Sequence, residues 1–333
     1  MSKYYATDYE HIGPELGAVK VVIPGGSGLL GQAAARAFVS EGHEVVVLSR
    51  GRMAPVGRTV PWDGSHQGPW AGEVDGADLV LNLAGRSVNC RYTARNLDEM
   101  MASRIDSTRA VGEAIAAAAR PPSVWLQMST ATIYAHRFDA PNDEATGIIG
   151  GAEPGVPAHW EYSVRIALRW EQTLAEADTP RTRKVAMRTA MVMSAQRGGV
   201  FDVLLGLVRR GMGGAAAGGR QFVSWIHESD WVRAVRHLYA HPTLSGEINV
   251  TSPNPLPYRD LMRATREAWG VGFGIPAARW MLEVGALMLG TESELILKSR
   301  RVIPGRLLDD GFGFEFPDWP AAAQDLVAQR GST

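Results

Sequence analysis

The segment Val19–Gly31, which reads VKVVIPGGSGLLG, decides the fold of this 333-residue chain. A short apolar run of strand type is followed by closely spaced glycines and then by an amphipathic segment of helical type. This order predicts a dinucleotide site, because glycines allow a tight turn and bring backbone N–H groups close to a pyrophosphate at the positive end of a helix. The predicted contacts are Gly25, Gly26, Ser27, Gly28, Leu29, Leu30 and Gly31.

The end of the second predicted strand indicates which dinucleotide binds. The apolar run Glu44–Leu48 is followed by Ser49 and Arg50, where a protein that binds NAD usually has an acidic residue for the ribose hydroxyls. Serine and arginine instead suit a 2′-phosphate, so we expect the cofactor to be NADP(H). Asp63 ends the third predicted strand, Thr59–Asp63, where it either contacts the adenine or forms a turn.

Composition and charge exclude several classes of protein. The hydrophobic fraction of 45% predicts a large core, in one domain or in two closely packed ones. A formal charge of −1 without a long basic run argues against a nucleic-acid partner. The single cysteine, Cys90, excludes an intrachain disulfide framework and a cysteine cluster for a metal, and we predict no metal site. Met1–Gly17 lacks the pattern of a signal peptide and no apolar run is long enough to span a membrane, so we expect a cytoplasmic protein.

Strand and helix patterns alternate through the first half of the chain. Further strands are predicted at Asp78–Gly85, Ser123–Met128 and Lys184–Arg188, with helices over 94–119 and 162–177. This alternation predicts an α/β fold with a doubly wound parallel sheet, a Rossmann domain over 18–197 with right-handed crossovers.

The pattern changes from about residue 198. Helices are predicted over 200–208, 258–269, 276–289 and 292–299, and short strands at Phe222–Ile226 and Gly246–Val250. We expect 222–250 to return to the main sheet. The remainder of 198–333 is predicted to form a smaller, mainly helical cap over the carboxyl ends of the strands, where open α/β sheets bind their ligands.

Several motifs occur in the order and spacing of a known superfamily. Gly25–Gly31, Asn82–Gly85 and Ser129–Tyr134 resemble motifs of the extended short-chain dehydrogenases, the superfamily of nucleotide-sugar epimerases and dehydratases. Other motifs resemble a branch of epimerase-like proteins with its own C-terminal module, of the DUF1731 type: Ser103-Arg104, Gly218–Gln221, Ser224–His227 with Asp230, Arg301–Pro304 and Gly311-Phe312. The resemblance covers nearly everything from Ala18 onward and implies that the module spans about 276–330.

The resemblance implies roles for the residues that follow the strands. The predicted loop behind the nicotinamide ribose contains Asn82, Leu83, Ala84 and Gly85, and Thr130 is expected to hold the substrate oxygen. Enzymes of this kind normally transfer the proton with a Tyr whose phenol is made more acidic by a Lys four residues later.

This chain departs from the Tyr–Lys pattern. Ile166 stands four residues after Tyr162, and if Glu171 sets the register instead, the Tyr and Lys positions fall on Ser163 and Ala167. Lysine is absent in either register. We therefore expect Tyr162, Tyr134 or an ordered water to handle the proton, or both tyrosines to pad the pocket with their rings.

Other polar residues have two interpretations each. Arg104 either pairs with a substrate anion or forms a structural salt bridge, and Arg220 and Gln221 are expected to reach the substrate. Trp225 either stacks on the substrate or packs in the core. His227 with Asp230 resembles a structural motif at a helix start, although histidine suits proton transfer near neutral pH.

The resemblance implies an NADP(H)-dependent oxidoreductase or epimerase that acts on a small hydroxyl- or carbonyl-bearing substrate. Relatives are often dimers, which leaves a homodimer open. Because the catalytic pair is missing, an NADP(H)-binding sensor that signals to a partner through the cap is the alternative.

Overall fold

A computed structural model describes residues 17–51, 53–157, 159–283 and 292–331. Its strands, in chain order, are β1 Lys20–Pro24, β2 Glu44–Ser49, β3 Arg58–Pro61, β4 Leu79–Asn82, β5 Val124–Thr130, β6 Arg183–Thr189, β7 Met191–Met193, β8 Phe222–Val223, β9 Trp225–His227, β10 Gly246–Val250 and β11 Leu256–Pro257. Seven of them form one parallel sheet in the order β10-β6-β5-β4-β1-β2-β3. The predicted doubly wound α/β fold is therefore confirmed.

Helices pack on this sheet and continue through the second half of the chain. They are α1 Leu29–Ser40, α2 Ala94–Ala117, α3 Trp160–Glu176, α4 Val200–Arg209, α5 Glu228–Ala240 and α6 Tyr258–Trp269, followed by the helices Glu294–Leu297, Gly305–Asp309 and Trp319–Gly331. Short 3-10 turns lie at Pro69–Glu73 and Ala131–Ile133. Among the described residues, no helix has the length and apolar character needed to cross a bilayer.

The strand β1 shows why the central strands read as continuous apolar runs. Val21 and Ile23 pack on one face of the sheet with α1 and α5, while Val22 packs on the other face with α2. Because both faces are covered, Val21, Val22 and Ile23 are all buried and none of them alternates with a polar residue.

The order of the strands reverses between β1 and β4, which lie side by side at the centre of the sheet. At such a switch point the loops after the two strands diverge to opposite faces and leave a crevice at the carboxyl edge. The turn after β1, the loop after β4 and the loop after β5 therefore border one crevice.

The segment predicted as a single strand at Phe222–Ile226 is interrupted at Ser224. β8 pairs with β11 and β9 pairs with β7, in two small sheets separate from the main one. The break follows from a tertiary contact, since the Ser224 hydroxyl donates to the carbonyl of Arg300 at 2.8 Å and accepts from Val302 N at 2.8 Å. Of the region expected to return to the sheet, 246–250 does so, beside β6.

A second hydrophobic core joins α4, α6 and the last helix. It contains Phe201, Leu261, Trp319 and the fully buried Trp225. The helix predicted over 276–289 lies partly outside the described residues, which show helix at 279–283. Met1–Gly17 lies outside them except for its last residue, and the proposed boundaries 18–197 and 198–333 stay predictions.

Candidate cofactor and active site

In the turn after β1, Gly25, Gly26 and Gly31 have no room for a side chain. A Cβ added to Gly25, whose φ is +77°, would lie 2.8 Å from the backbone nitrogen of Ala84, and one added to Gly31 would lie 2.3 Å from the Cα of Gly26. Helix α1 begins directly after Gly28, without a side chain that caps its N-terminus. Its first N–H groups have no acceptor within the helix, so this end suits a phosphate.

The packing of Gly31 predicts a sharp difference between two substitutions. We expect Gly31→Ala to lower the free energy of unfolding by about 1–3 kcal/mol, because the new methyl group would overlap the Gly26 backbone. Gly28→Ala is the matched control, since its Cβ would meet only the Gly25 carbonyl at 3.6 Å. Urea unfolding of both variants measures the difference, and equal stability would contradict the predicted overlap.

A cavity of about 570 Å³ lies where β2 and β3 end. Arg50 lines it and forms no ion pair in the part of the chain that the structure describes. The Ser49 hydroxyl donates to the Ser27 hydroxyl at 3.0 Å, which ties the end of β2 to the glycine turn. Ser49 and Arg50 therefore stand beside the turn, where the ribose end of a dinucleotide on α1 would lie.

Asp63 lines the same cavity and forms a turn. Its Oδ1 accepts the backbone N–H groups of Ser65 at 2.8 Å and His66 at 2.9 Å. The N–H of His66, followed by that of Ser65, holds the pKa of Asp63 well below its usual range. The turn-forming interpretation is confirmed, and an additional contact with adenine stays a prediction.

The loop after β4 forms the back wall of the crevice. Asn82 is fully buried, donates to Gln127 Oε1 at 2.9 Å and accepts the N–H of Ala84 at 3.0 Å. The N–H of Leu83 donates to the carbonyl of Pro24 at 2.9 Å. The side chain of Asn82 thus sets the path of the loop and holds Ala84 against the glycine turn.

Arg104 lies directly behind this loop and is only 8% exposed. A Cβ on Gly85 would be 3.5 Å from its Cγ and Cζ, and its guanidinium lies 4.9 Å from the ring of Trp170. Burial lowers its pKa to about 10. Within the described ranges Arg104 has no carboxylate partner, so the salt-bridge interpretation is wrong and the substrate-anion interpretation stays a prediction.

Thr130 ends β5 at the crevice, where it is half-buried. Its hydroxyl oxygen accepts the N–H of Thr132 at 3.1 Å and so starts the 3-10 turn. This contact leaves the hydroxyl proton of Thr130 able to donate to a substrate oxygen, as its predicted role requires.

The two tyrosines predicted to transfer the proton have other partners. The Tyr134 hydroxyl donates to Asn249 Oδ1 and accepts from Arg188, each at 3.0 Å, and burial raises the pKa of this tyrosine. The Tyr162 hydroxyl lies 3.5 Å from Asp98 of α2, and Arg165 covers its ring at 4.4 Å. Both sets of contacts are structural, and proton transfer by either tyrosine stays a prediction.

A second cavity of about 430 Å³ contains the predicted substrate residues Arg220 and Gln221. Arg220 is exposed, whereas the Gln221 amide donates to the carbonyls of Ala216 at 3.1 Å and Ile296 at 3.2 Å. Aromatic, cationic and aliphatic groups complete the lining: His136, Phe138, Trp160, Arg279 and Leu297. This lining suits a ligand that has both an apolar surface and a negative charge.

The predicted stacking of Trp225 on a substrate is wrong. Its indole is fully buried in the second core and meets Trp319 edge-to-face at 4.9 Å. His227 is also buried, at the start of α5, where its ring accepts the N–H of Ser229 and lies 3.1 Å from Asp325. These residues attach the C-terminal helix to the rest of the chain.

Sequence reasoning missed the side chains that the C-terminal module brings to β5. Lys298 donates to the carbonyl of Thr132 at 2.9 Å, and Arg300 donates to the hydroxyl of Thr132 at 3.1 Å. Glu294 accepts the hydroxyl of Ser163 at 2.6 Å. No local signal could have revealed these contacts, because more than 130 positions separate the partners.

Three side chains that the sequence did not join could hold a metal ion. Among the described residues, the ligand atoms of His237, His241 and Asp310 lie within 4.8 Å of one another. In the structure one carboxylate oxygen of Asp310 bonds to both imidazoles, at 2.7 Å in the case of His237. The contacts join α5 to the C-terminal module.

Comparison with known proteins agrees with this geometry. A family model described as the NAD dependent epimerase/dehydratase family matches residues 21–251, from β1 through β10. The chain belongs to this family. A second model, for the domain of unknown function DUF1731, matches residues 277–326, which include the segment that contacts Thr132.

Similar proteins align with nearly the whole chain. The epimerase family protein YfhF of Bacillus subtilis is 26% identical over 317 residues, 94% of this chain and 99% of the relative. Human SDR39U1 is 26% identical over 313 residues, 93% of this chain and all of the relative. A crystal structure of human SDR39U1 (isoform 2) with NADPH aligns with a TM-score of 0.80 and 24% identity, covering 93% of this chain and 99% of that one.

Proposed function

We propose that this family member is an NADP(H)-dependent oxidoreductase or epimerase acting on a small hydroxyl- or carbonyl-bearing substrate. The observation that carries the proposal is the position of Arg50, without an ion-pair partner in the described chain, in the cavity beside the glycine turn. The structure of the human relative with NADPH supports the same cofactor.

Each wall of the crevice has a part in this proposal. The glycine turn and the N-terminus of α1 hold the pyrophosphate, and Ser49 and Arg50 bind the 2′-phosphate. The Asn82–Gly85 loop lies behind the nicotinamide ribose, where Gly25 and Ala84 are already in contact. The bound nicotinamide supplies or accepts the hydride, so the protein orients the substrate and moves the proton.

Thr130 holds the substrate oxygen in the proposed reaction, with its free hydroxyl proton as the donor. The cavity that contains Arg220 accepts the remainder of the substrate. A cytoplasmic location and a homodimer belong to the same proposal, as in the expectations from the sequence.

A sensor of the NADPH/NADP balance is the second candidate. Two observations favour it. Tyr134 and Tyr162 both have structural partners, and Ile166 or Ala167, depending on the register, stands where the lysine would be expected. In a sensor, bound cofactor changes how the module packs on β5, and no substrate is consumed.

Turnover distinguishes the enzyme from the sensor. We expect one or more members of a carbonyl library to accelerate NADPH oxidation by the full-length protein, as followed by NADPH absorbance. Thr130→Val should lower kcat by about a hundredfold, the usual cost of removing one donor to a reacting oxygen, with NADPH affinity unchanged. If wild-type protein binds NADPH tightly but no library member accelerates NADPH oxidation, the result would favour the sensor.

A further inference from the structure

Two buried side chains and one half-buried side chain meet between α3 and the C-terminal module. The Ser163 hydroxyl donates to Glu294 Oε2 at 2.6 Å, and the Lys298 ammonium lies 3.9 Å from Glu294 Oε1. Glu294 is fully buried and Lys298 is 2% exposed, while Ser163 is half-buried. A hydroxyl, a carboxylate and an ammonium therefore form a short chain that runs from the half-buried Ser163 into the protein.

The face of α3 that carries Ser163 looks toward β5. Ser163, Ala167 and Glu171 are spaced four residues apart and so share one face of the helix. Glu171 accepts the Ser129 hydroxyl at 2.6 Å, and Ala167 is buried in one cluster with Ala131. Because Ser129 and Ala131 flank Thr130, this face of the helix follows the end of β5 to the crevice.

The module holds the same end of β5 from its other side. Lys298 and Arg300 both bond to Thr132, two residues after the predicted substrate contact Thr130. Val302 packs with Ala167, so the small side chain of Ala167 provides the space that the module occupies. The helix face and the module therefore both contact the residues on either side of Thr130.

The bonding of Glu294 is incomplete. Its Oε1 is buried and makes no hydrogen bond of good geometry among the described residues. Its ion-pair partner Lys298 is 3.9 Å away, and the Tyr92 hydroxyl also interacts with the carboxylate. Buried oxygens without a well-formed hydrogen bond are rare in proteins. Burial and the nearby Arg300 lower the pKa of Lys298 to about 8. Tyr92 is also adjacent, and burial followed by the charge of Glu294 raises its pKa to about 12, so it stays protonated.

We propose that Ser163, Glu294 and Lys298 form the proton-transfer site of this protein, with Ser163 as the hydroxyl that touches the substrate. The inference rests on the proposed function, because it assigns the group that moves the proton there. Glu294 is the acceptor behind Ser163, and Lys298 is a positioning residue that lies beside the carboxylate.

The balanced step oxidises an alcohol to a carbonyl. The hydride on the substrate carbon, with its two electrons, passes to NADP⁺ as the oxidant. The hydroxyl proton of the substrate moves to Ser163 Oγ while the proton of Ser163 moves to Glu294, which becomes a neutral carboxylic acid. Reduction of a carbonyl by NADPH is the reverse, with the neutral Glu294 as the proton source.

Affinities for the two cofactor forms test the placement without a substrate. A buried carboxylate beside the nicotinamide favours the positively charged ring of NADP⁺ over the neutral ring of NADPH. We expect Glu294→Gln in the full-length chain to weaken NADP⁺ binding by about tenfold relative to NADPH binding. Lys298→Met should shift the ratio of NADP⁺ to NADPH affinity in the opposite direction. One of the two variants therefore still tests the proposal if the other fails to fold.

The matched control is Glu292→Gln, which changes a carboxylate two residues away. Glu292 bonds to the N–H of Tyr92 and to Arg91 rather than to Ser163, and we expect it to leave the NADP⁺/NADPH ratio unchanged. An unchanged ratio in a folded Glu294→Gln protein would overturn the proposal. If the wild-type protein bound neither NADP⁺ nor NADPH, that result would overturn the proposed function instead.

Ser163 itself is tested wherever a carbonyl substrate supports turnover. Ser163→Ala should lower kcat at least a hundredfold and leave KM and the NADP⁺/NADPH ratio unchanged, because the hydroxyl carries only the proton. Ser163→Thr, which keeps the hydroxyl, should recover much of the rate. Wild-type turnover in Ser163→Ala would overturn the assignment.

Discussion

Replacing Arg50 by alanine is expected to weaken NADP⁺ binding by about ten- to a hundredfold and to leave NAD⁺ binding within about twofold. A charge-assisted contact with a phosphate contributes roughly 1.5–3 kcal/mol, and NAD⁺ lacks the 2′-phosphate. Arg50 is suited to this contact because it lines the cavity beside β2 without an ion pair in the described chain.

Titration calorimetry of both cofactors measures the effect of Arg50→Ala directly. Arg36→Ala is the matched control, since Arg36 is exposed on α1 and should change neither affinity. Equal weakening of NADP⁺ and NAD⁺ by Arg50→Ala would rule out the 2′-phosphate contact and show a general effect on the crevice. A salt dependence greater for NADP⁺ than for NAD⁺ should accompany the expected result.

Arg188→Met is expected to lower the free energy of unfolding by about 3–5 kcal/mol, because it leaves a buried carboxylate without its cation. Arg188 binds Glu171 through two bonds of 2.9 and 2.7 Å, and the two side chains are 11% and 10% exposed. The same guanidinium donates to Tyr134 at 3.0 Å. One arginine thus supports β6, α3 and the loop after β5 together.

A double variant separates the charge from the packing. Arg188→Met combined with Glu171→Leu removes both charges, so we expect it to be more stable than Arg188→Met alone. Urea unfolding of the two variants and the wild type gives the comparison. If Arg188→Met lowers the free energy of unfolding by less than about 1 kcal/mol, the Arg188–Glu171 ion pair does not stabilise the fold as described above.

Local patterns in the sequence predicted the sheet and one half of the site. The central strands of the main sheet contain continuous apolar runs, and a Cβ at Gly31 would overlap the backbone of Gly26. The structure places Ser49, Arg50 and the Asn82–Gly85 loop around that turn. These predictions needed only residues that are neighbours in the chain or that follow adjacent strands.

The interpretations that failed depended on distant contacts. The surroundings of Arg104, which lies against Gly85 and Trp170 without a carboxylate partner in the described ranges, became visible only in the fold. The same holds for the core around Trp225. The strand over Phe222–Ile226 was split because Arg300 and Val302 bond to Ser224. Sequence spacing contains no information about which chain segment will supply such a partner.

The sequence by itself therefore determined the Rossmann sheet, the glycine turn and the basic end of β2, because each depends on local periodicity or on backbone space within a few residues. Only the tertiary structure brought together the polar groups that we propose in place of the missing Tyr–Lys pair. Ser163, Glu294 and Lys298 come from α3 and from a module more than 130 residues later. Burial of Ala167 and Val302 against the end of β5 brings these polar groups together, and no local property of either segment encodes that contact.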